Sequence, residues 1–186
     1  MNEIERLKEG NLRFIKNEPL KKNFLKRRGE LLEGQTPFAT IITCSDSRVV
    51  PEYIFDTNLG DLFIVRVAGN ITDKSVLGSI EYGVIHCHTH LLVILGHSKC
   101  GAVTAACRRT TEEDNNIDYI VDKIKPALTK VPDKNIEKTI EENVKCVIED
   151  FLQNSPTIKK LKESGKVKIV GMKYQLETGE IKILES

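Results

Sequence analysis

The chain has 186 residues, of which 40% are hydrophobic and 30% are charged, and its formal net charge is +1. This balance gives no reason to expect nucleic acid or a membrane surface as the main partner, and no apolar run approaches the length of a membrane span. The length suits one domain with its own core, so we expect a single domain over residues 1–186.

The first residues and the cysteines bear on the cellular compartment. Residues 1–6 are charged and lack the apolar core of a signal peptide. The chain has five cysteines, an odd number that fits reduced thiols better than a disulfide framework. We therefore expect a cytoplasmic protein.

The N-terminal third is predicted to contain one helix and a basic segment. Apolar residues at helical spacing indicate an amphipathic helix near the start, with Ile4, Leu7, Asn11, Phe14 and Ile15 mostly on one face. Residues 21–28 are basic and have two interpretations, a nucleic-acid or localisation patch or a solvated face near a turn. The second is favoured, because the rest of the chain balances the charge and no aromatic residues are interleaved in a binding pattern.

From residue 38 onward, strands and helices alternate. Apolar runs predict strands at residues 38–43, 62–67, 91–96 and 166–172, and helical spacing predicts helices at 51–55, 75–87, 101–107, 117–128 and 136–151. Residues 110–116 read as a polar loop, and Pro126 weakens the end of its helix. A turn at Thr178 and Gly179 leads to a last strand at 181–184, antiparallel to the strand before it. This alternation is typical of an open α/β domain.

Two motifs that carry metal-binding side chains each follow a predicted buried strand. Cys44 begins Cys-Ser-Asp-Ser-Arg, and His97 begins His-Ser-Lys-Cys, which ends at Cys100. In parallel sheets, ligands bind at the carboxyl ends of the strands, where both motifs lie. Two thiols and one imidazole leave one tetrahedral position of a zinc ion open, which favours a catalytic zinc over a structural one.

The ordered motifs resemble those of the β-class carbonic anhydrases. The resemblance rests on Cys-x-Asp-x-Arg, then Val67-Ala68-Gly69-Asn70, then His-x-x-Cys, and it covers most of the chain. It implies a mostly parallel sheet of four parallel strands plus one antiparallel edge strand, flanked by helices. It also implies an N-terminal helical arm that packs on a partner subunit in a homodimer, a tetramer or a higher assembly.

The resemblance further implies the chemistry and the site residues. One Zn²⁺ per chain would be held by Cys44, His97 and Cys100, and hydroxide on that zinc would attack carbon dioxide to give bicarbonate. Asp46 would orient the hydroxide and Arg48 would hold Asp46 through a charge-assisted pair. Six further residues stand where the family places its substrate-lining residues, some of them across a dimer interface: Gln35, Phe63, Ala68, Gly69, Tyr82 and Gly101.

Other functions and other metal sites remain open from the sequence. Proteins with the same zinc frame hydrolyse carbon disulfide or carbonyl sulfide. A non-catalytic zinc or anion-binding domain would use Asp46 as a permanent fourth ligand, although Arg48 offers Asp46 another partner. Residues 86–90 contain three histidines and could bind a second metal, but they are better explained as the polar end of a helix. Cys87, Cys107 and Cys146 are most simply buried thiols.

One position distinguishes this chain from family members that bicarbonate switches off. In those members a tryptophan shortly before the first ligand helps to build a second anion pocket. Here that position is Ile41, although the positions of Arg66 and Tyr82 match, and isoleucine has no N–H to donate. The sequence therefore predicts an open site, with water on zinc and Asp46 on Arg48.

Overall fold

A five-stranded sheet forms the centre of the protein. The computed structural model describes residues 2–109 and 116–185. The strands are β1 (Ala39–Thr43), β2 (Leu62–Arg66), β3 (Leu91–His97), β4 (Lys168–Tyr174) and β5 (Ile181–Glu185), in the order β2-β1-β3-β4-β5. The first four are parallel and β5 is antiparallel to β4. This arrangement confirms the predicted fold class.

Helices cover both faces of the sheet. They are α1 (Glu3–Ile15), α2 (Phe24–Glu30), α3 (Pro51–Ile54), α4 (Lys74–Ile85), α5 (Gly101–Arg108), α6 (Asn116–Lys130), α7 (Ile136–Asn154) and α8 (Pro156–Glu163), with one 3-10 turn at Ala68–Asn70. Among the described residues, no helix is both long and apolar enough to cross a membrane.

Most of these elements were predicted, and the exceptions have physical causes. The helices α2 and α8 are short and carry almost no buried apolar stripe, so hydrophobic spacing gave no signal for them. Their starts are instead marked by capping side chains, Asn23 and Ser155. Helix α6 continues past Pro126 to Lys130. The predicted polar loop lies outside the described residues, except for Asn116, which begins α6.

The central strands β1 and β3 are mostly apolar because each side of the sheet faces a separate core. In β1, Ile41 packs in a cluster with residues of α1 and α3, and the next residue, Ile42, packs against α4 and α7 on the other face. All five residues of β1 and all seven of β3 are buried. A continuous apolar run is what a parallel strand covered on both faces requires.

One face of helix α1 packs on its own chain. Leu7 is fully buried in the core cluster that also contains Ile54 of α3. Asn11 Nδ2 donates to the carbonyl oxygens of Ile54 at 3.2 Å and Gly179 at 2.8 Å. Leu12 and Ile15 of the same helix remain exposed, so packing of α1 on a partner subunit stays a prediction.

The strand order creates a crevice beside β1. The chain passes from β1 outward to β2 and then returns to form β3 on the other side of β1. The connections that follow β1 and β3 therefore leave in opposite directions, which is the topological switch point at which open α/β sheets bind ligands.

Candidate metal centre

Three potential metal ligands meet at this switch point. Cys44 follows β1 directly, His97 is the last residue of β3, and Cys100 caps the start of α5. One sulfur or nitrogen atom from each lies within 4.8 Å of the others, and all three residues are buried. Within the described part of the chain no other group of three such residues is gathered in this way, so residues 86–90 do not form a second site of this kind.

The environment of His97 fits a metal ligand. Its Nδ1 lies 2.9 Å from the backbone carbonyl oxygen of Ser98, so Nδ1 donates its hydrogen and Nε2 keeps its lone pair. Nε2 is buried, and the described part of the chain offers it no hydrogen-bond partner. Histidines that bind metals commonly use their second ring nitrogen in this way. A metal ion would satisfy the buried Nε2, and the two-thiol, one-imidazole set suits zinc with a fourth position open.

The two thiols lie close enough to shift each other's pKa. A hydrogen bond from Cys100, outweighing the effect of burial, holds the pKa of the Cys44 thiol well below its usual range, and His97 and two backbone N–H groups add to this. The same contact raises the pKa of Cys100. The N–H groups at the start of α5 donate to Cys100 and oppose this rise, so Cys44 is the sulfur whose surroundings favour a thiolate in the absence of a cation.

Asp46 lies beside the three ligands but is engaged elsewhere. Arg48 donates to both carboxylate oxygens, from Nε to Oδ1 at 2.9 Å and from Nη2 to Oδ2 at 2.7 Å. The backbone N–H of Arg48 also donates to Oδ1 at 3.0 Å. This pair lowers the pKa of Asp46. Asp46 Oδ2 is 4.0 Å from His97 Nε2, so the carboxylate is next to the metal position without occupying it.

Arg66 braces the loop that carries Cys44 and Asp46. It is in register with Thr43, the last residue of β1. Its Nε donates to the carbonyl oxygen of Cys44 at 3.2 Å and its Nη2 to that of Asp46 at 2.7 Å. From the sequence, Arg66 is expected only at a second anion pocket. Its position at the end of a strand next to β1 was the signal that could have revealed this role.

Gly69 contacts the first thiol through its backbone. Its N–H donates to Cys44 Sγ at 3.3 Å, and its φ of +69° is one that side chains disfavour. A Cβ there would lie 3.0 Å from Ile124 and 3.2 Å from Ala102. Asn143 of α7 donates to the Gly69 carbonyl oxygen at 2.9 Å. Ala68 precedes Gly69 in the same 3-10 turn, and Gly101 begins α5 directly after Cys100.

The remaining predicted site residues lie at the β2 edge of the sheet. Phe63 belongs to this edge strand, and its ring centroid is 6.0 Å from that of Tyr82 on α4. Tyr82 also stacks near His86, with centroids 5.0 Å apart. Gln35 is exposed in the segment before β1. The ring contacts of Phe63 and Tyr82 do not involve the three candidate metal ligands.

Known proteins are similar to this chain in sequence. A sequence model described as carbonic anhydrase matches residues 39–181. Carbonic anhydrase 2 of Mycobacterium tuberculosis is 38% identical and the alignment covers 93% of this chain and 87% of that protein. Carbonic anhydrase of Mycolicibacterium smegmatis is 35% identical, with 95% and 89% covered.

Solved structures agree with the sequence comparisons. A structure from work on two tetrameric β-carbonic anhydrases of Sordaria macrospora superposes with a TM-score of 0.76 at 28% identity, covering 84% of this chain and 85% of that one. The β-carbonic anhydrase CcaA gives a TM-score of 0.76 at 28% identity, covering 96% and 86%. The likeness therefore extends over nearly the whole fold.

Proposed function

This chain belongs to the β-class carbonic anhydrase family, and we propose that it hydrates carbon dioxide reversibly to bicarbonate and a proton, using one zinc ion per chain. The observation that carries this proposal is the separation of roles at the metal centre. Three ligand atoms are gathered, while the nearby carboxylate is held by an arginine. A fourth metal position is therefore left for water.

The roles of the ligands follow from their geometry. Cys44, His97 and Cys100 would hold the metal, with His97 binding through Nε2 because Nδ1 is engaged with Ser98. A bound zinc ion would act as a Lewis acid that makes water nucleophilic, less strongly than a zinc held by three neutral histidines because two thiolates offset its charge, so activity should rise into the alkaline range. Gly69 and the first N–H groups of α5 donate to the two sulfurs and stabilise their charged form.

Asp46 and Arg48 would control the attacking water. An ionised carboxylate can only accept hydrogen bonds, so Asp46 would take one from the water and direct a lone pair towards carbon dioxide. The two-point contact with Arg48 fixes the plane of this carboxylate. It also competes with direct binding of Asp46 to the metal, which a non-catalytic site would require.

We further infer a homodimer that forms across the β2 edge of the sheet. An exposed edge strand can pair with a second copy. Around β2, a groove of about 540 Å³ is lined by Phe24, Tyr53, Leu59 and Arg66, among others. Phe24, Tyr53 and Tyr82 are large and exposed in the single chain. A partner at this edge would cover them and bring Gln35, Phe63 and Tyr82 to a shared cleft, where they would line the substrate path.

The cytoplasmic location also stays a prediction. It is supported by the thiols, because all five cysteines are free and reduced thiols persist in the cytoplasm.

The deciding experiment is stopped-flow carbon dioxide hydration on protein whose zinc content has been measured. We expect one zinc per chain and catalysis well above the buffer rate. Sulfide release from carbon disulfide and carbonyl sulfide is measured on the same sample. Sulfide release without bicarbonate formation would show that the protein is a carbon disulfide or carbonyl sulfide hydrolase instead. Zinc binding without either activity would support a non-catalytic domain.

A further inference from the structure

A carboxylate on α7 holds the loop between the second and third metal ligands. Glu137 Oε1 accepts a hydrogen bond from the backbone N–H of Lys99 at 3.0 Å. Lys99 lies between His97 and Cys100 and has a φ of +55°, which is uncommon for a residue with a side chain. The backbone therefore turns sharply between two ligands, and Glu137 is a side chain from outside the loop that fixes this turn.

A buried lysine in turn holds Glu137. Lys173 Nζ lies 2.7 Å from Glu137 Oε2 and 3.2 Å from Glu141 Oε1, one helical turn further along α7. The Lys173 side chain is only 4% exposed. Lysine is rarely buried to this extent without a partner, because removing its charge from water costs free energy that only nearby opposite charges offset. The two oxygens of Glu137 are thus divided between the Lys99 amide and Lys173.

The packing of α7 on the sheet explains why a lysine can reach this point. Lys173 is in register with Gly96, the residue before His97. A Cβ at Gly96 would lie 2.7 Å from Val144 of α7, so only glycine lets the helix approach this closely. The Lys173 side chain lies beside this contact and ends at the first turns of α7, next to the metal loop.

We propose that Lys173 is a positioning residue of the metal centre, which acts through Glu137 on the Lys99 amide and so fixes the spacing of His97 and Cys100. This inference rests on the proposed zinc site. Without Lys173, Glu137 would be free to turn towards solvent, since its side chain is already 46% exposed. The Lys99 N–H would then lose its acceptor and the strained turn could relax.

The other side of the loop limits the size of the effect. Ser98 Oγ donates to Glu177 Oε2 at 2.9 Å and accepts from the Leu176 N–H at 2.9 Å, and both partners lie in the turn between β4 and β5. The loop would therefore loosen on the α7 side only. Loss of groups that orient metal ligands typically lowers metal affinity about 10- to 100-fold, and we expect Lys173→Met and Glu137→Ala to fall in this range.

The test compares two matched pairs of variants in the zinc-loaded full-length protein. Lys173→Met is paired with Lys182→Met, since both lysines contact Glu141 but only Lys173 contacts Glu137. Glu137→Ala is paired with Glu141→Ala. Zinc affinity is measured by competition with a chelator, and the visible spectrum of the Co²⁺-substituted protein reports ligand geometry. We expect the first member of each pair to bind zinc about 10- to 100-fold more weakly and to change the Co²⁺ spectrum, while the second does neither.

Two results would overturn the proposal, and both differ from failure of the zinc site itself. In the first, Lys173→Met and Glu137→Ala leave the zinc affinity and the Co²⁺ spectrum unchanged, even if their unfolding midpoints move. The contact between Lys173 and Glu137 would then contribute to stability alone. The other is an equal loss in both members of each pair. If the unmodified protein binds no zinc, the proposed function fails first.

Discussion

Arg48 holds both carboxylate oxygens of Asp46, at 2.9 and 2.7 Å, while Asp46 Oδ2 stays 4.0 Å from the unpartnered Nε2 of His97. The carboxylate is thus one short movement away from the metal position. Arg48 is exposed and contributes little to the core, so its main effect is on where Asp46 points.

We therefore expect Arg48→Ala to keep zinc and lose turnover, because the released carboxylate can take the fourth metal position. Zinc content and carbon dioxide hydration are measured together on the same preparation. Asp46→Asn is the companion variant, since it removes the charge that would bind the metal while leaving Arg48 in place. It too should keep zinc and lose activity. Full turnover in Arg48→Ala would show that the pair is only a surface salt bridge.

Replacing the first ligand tests the location of the metal. Cys44→Ser should lose most of its zinc and nearly all activity, because a hydroxyl is a much poorer zinc ligand than a thiolate. The matched control is Cys87→Ser, which changes the cysteine within residues 86–90 and should keep one zinc per chain. Zinc is counted by elemental analysis after dialysis. If Cys44→Ser kept its zinc and Cys87→Ser lost it, the metal site would lie in residues 86–90 instead.

Helix α1 offers a stability prediction. Gly10 lies against the Phe55 carbonyl, and an added Cβ would come within 1.8 Å of that oxygen. Gly10→Ala should therefore push α1 away from the core that buries Leu7 and destabilise the protein by about 3 kcal/mol. Gly78 of α4 has no atom within 4 Å of an added Cβ, so Gly78→Ala should stabilise by about 0.5–1 kcal/mol.

Denaturant unfolding of both variants checks this prediction. Gly78→Ala measures the general preference of helices for alanine. A difference in sign between the two changes in unfolding free energy therefore reports the close approach at Gly10. An unfolding midpoint for Gly10→Ala at or above that of the unmodified protein would mean that α1 does not pack on Phe55.

The strands and the meeting of Cys44, His97 and Cys100 could be predicted because their signals are local. Each of β1 and β3 is a continuous apolar run, and each is followed at once by a motif of thiols or imidazole. Parallel strands end at the same edge of a sheet, so proximity of the two motifs followed from the fold class. The turn residues Thr178 and Gly179 likewise indicated the antiparallel last strand.

The groups that brace the ligands could not be predicted in this way. Glu137 and Lys173 meet through the packing of α7 on β4, and their separation in the sequence carries no periodic signal. The predicted fourth strand ended at Met172, whereas β4 continues to Tyr174 with Lys173 buried. A lysine followed by an apolar tyrosine was the available hint. The covering of α1 by its own chain likewise depends on the close approach at Gly10, which hydrophobic spacing does not report.

The inferred dimer can be tested on its exposed aromatic surface. Tyr53 is 71% exposed in the single chain and lines the groove beside β2. Tyr53→Glu should leave the monomer folded but place a charge in the interface, so the dimer should dissociate and activity should fall with it. Tyr119→Glu is the control, because Tyr119 is also exposed but lies on α6. Sedimentation velocity at assay concentration gives the assembly state of each. An unmodified protein that is monomeric and fully active would rule out a shared cleft.

The last prediction concerns regulation by bicarbonate. Ile41 is fully buried in the core cluster on the α1 face of the sheet, and it has no polar group to offer an anion. Arg66, the other group that such a pocket would need, already donates to the carbonyl oxygens of Cys44 and Asp46. A second bicarbonate site would have to break these bonds, and the loop that carries the first ligand would lose its brace.

We therefore expect the initial rate of carbon dioxide hydration to fall gradually and without cooperativity as bicarbonate is added, with Asp46 remaining on Arg48. Rates are measured at fixed pH and ionic strength, with chloride replacing bicarbonate in the control series. Steep, sigmoidal inhibition by bicarbonate alone would mean that this chain switches off by a route that needs neither an indole nor a free Arg66.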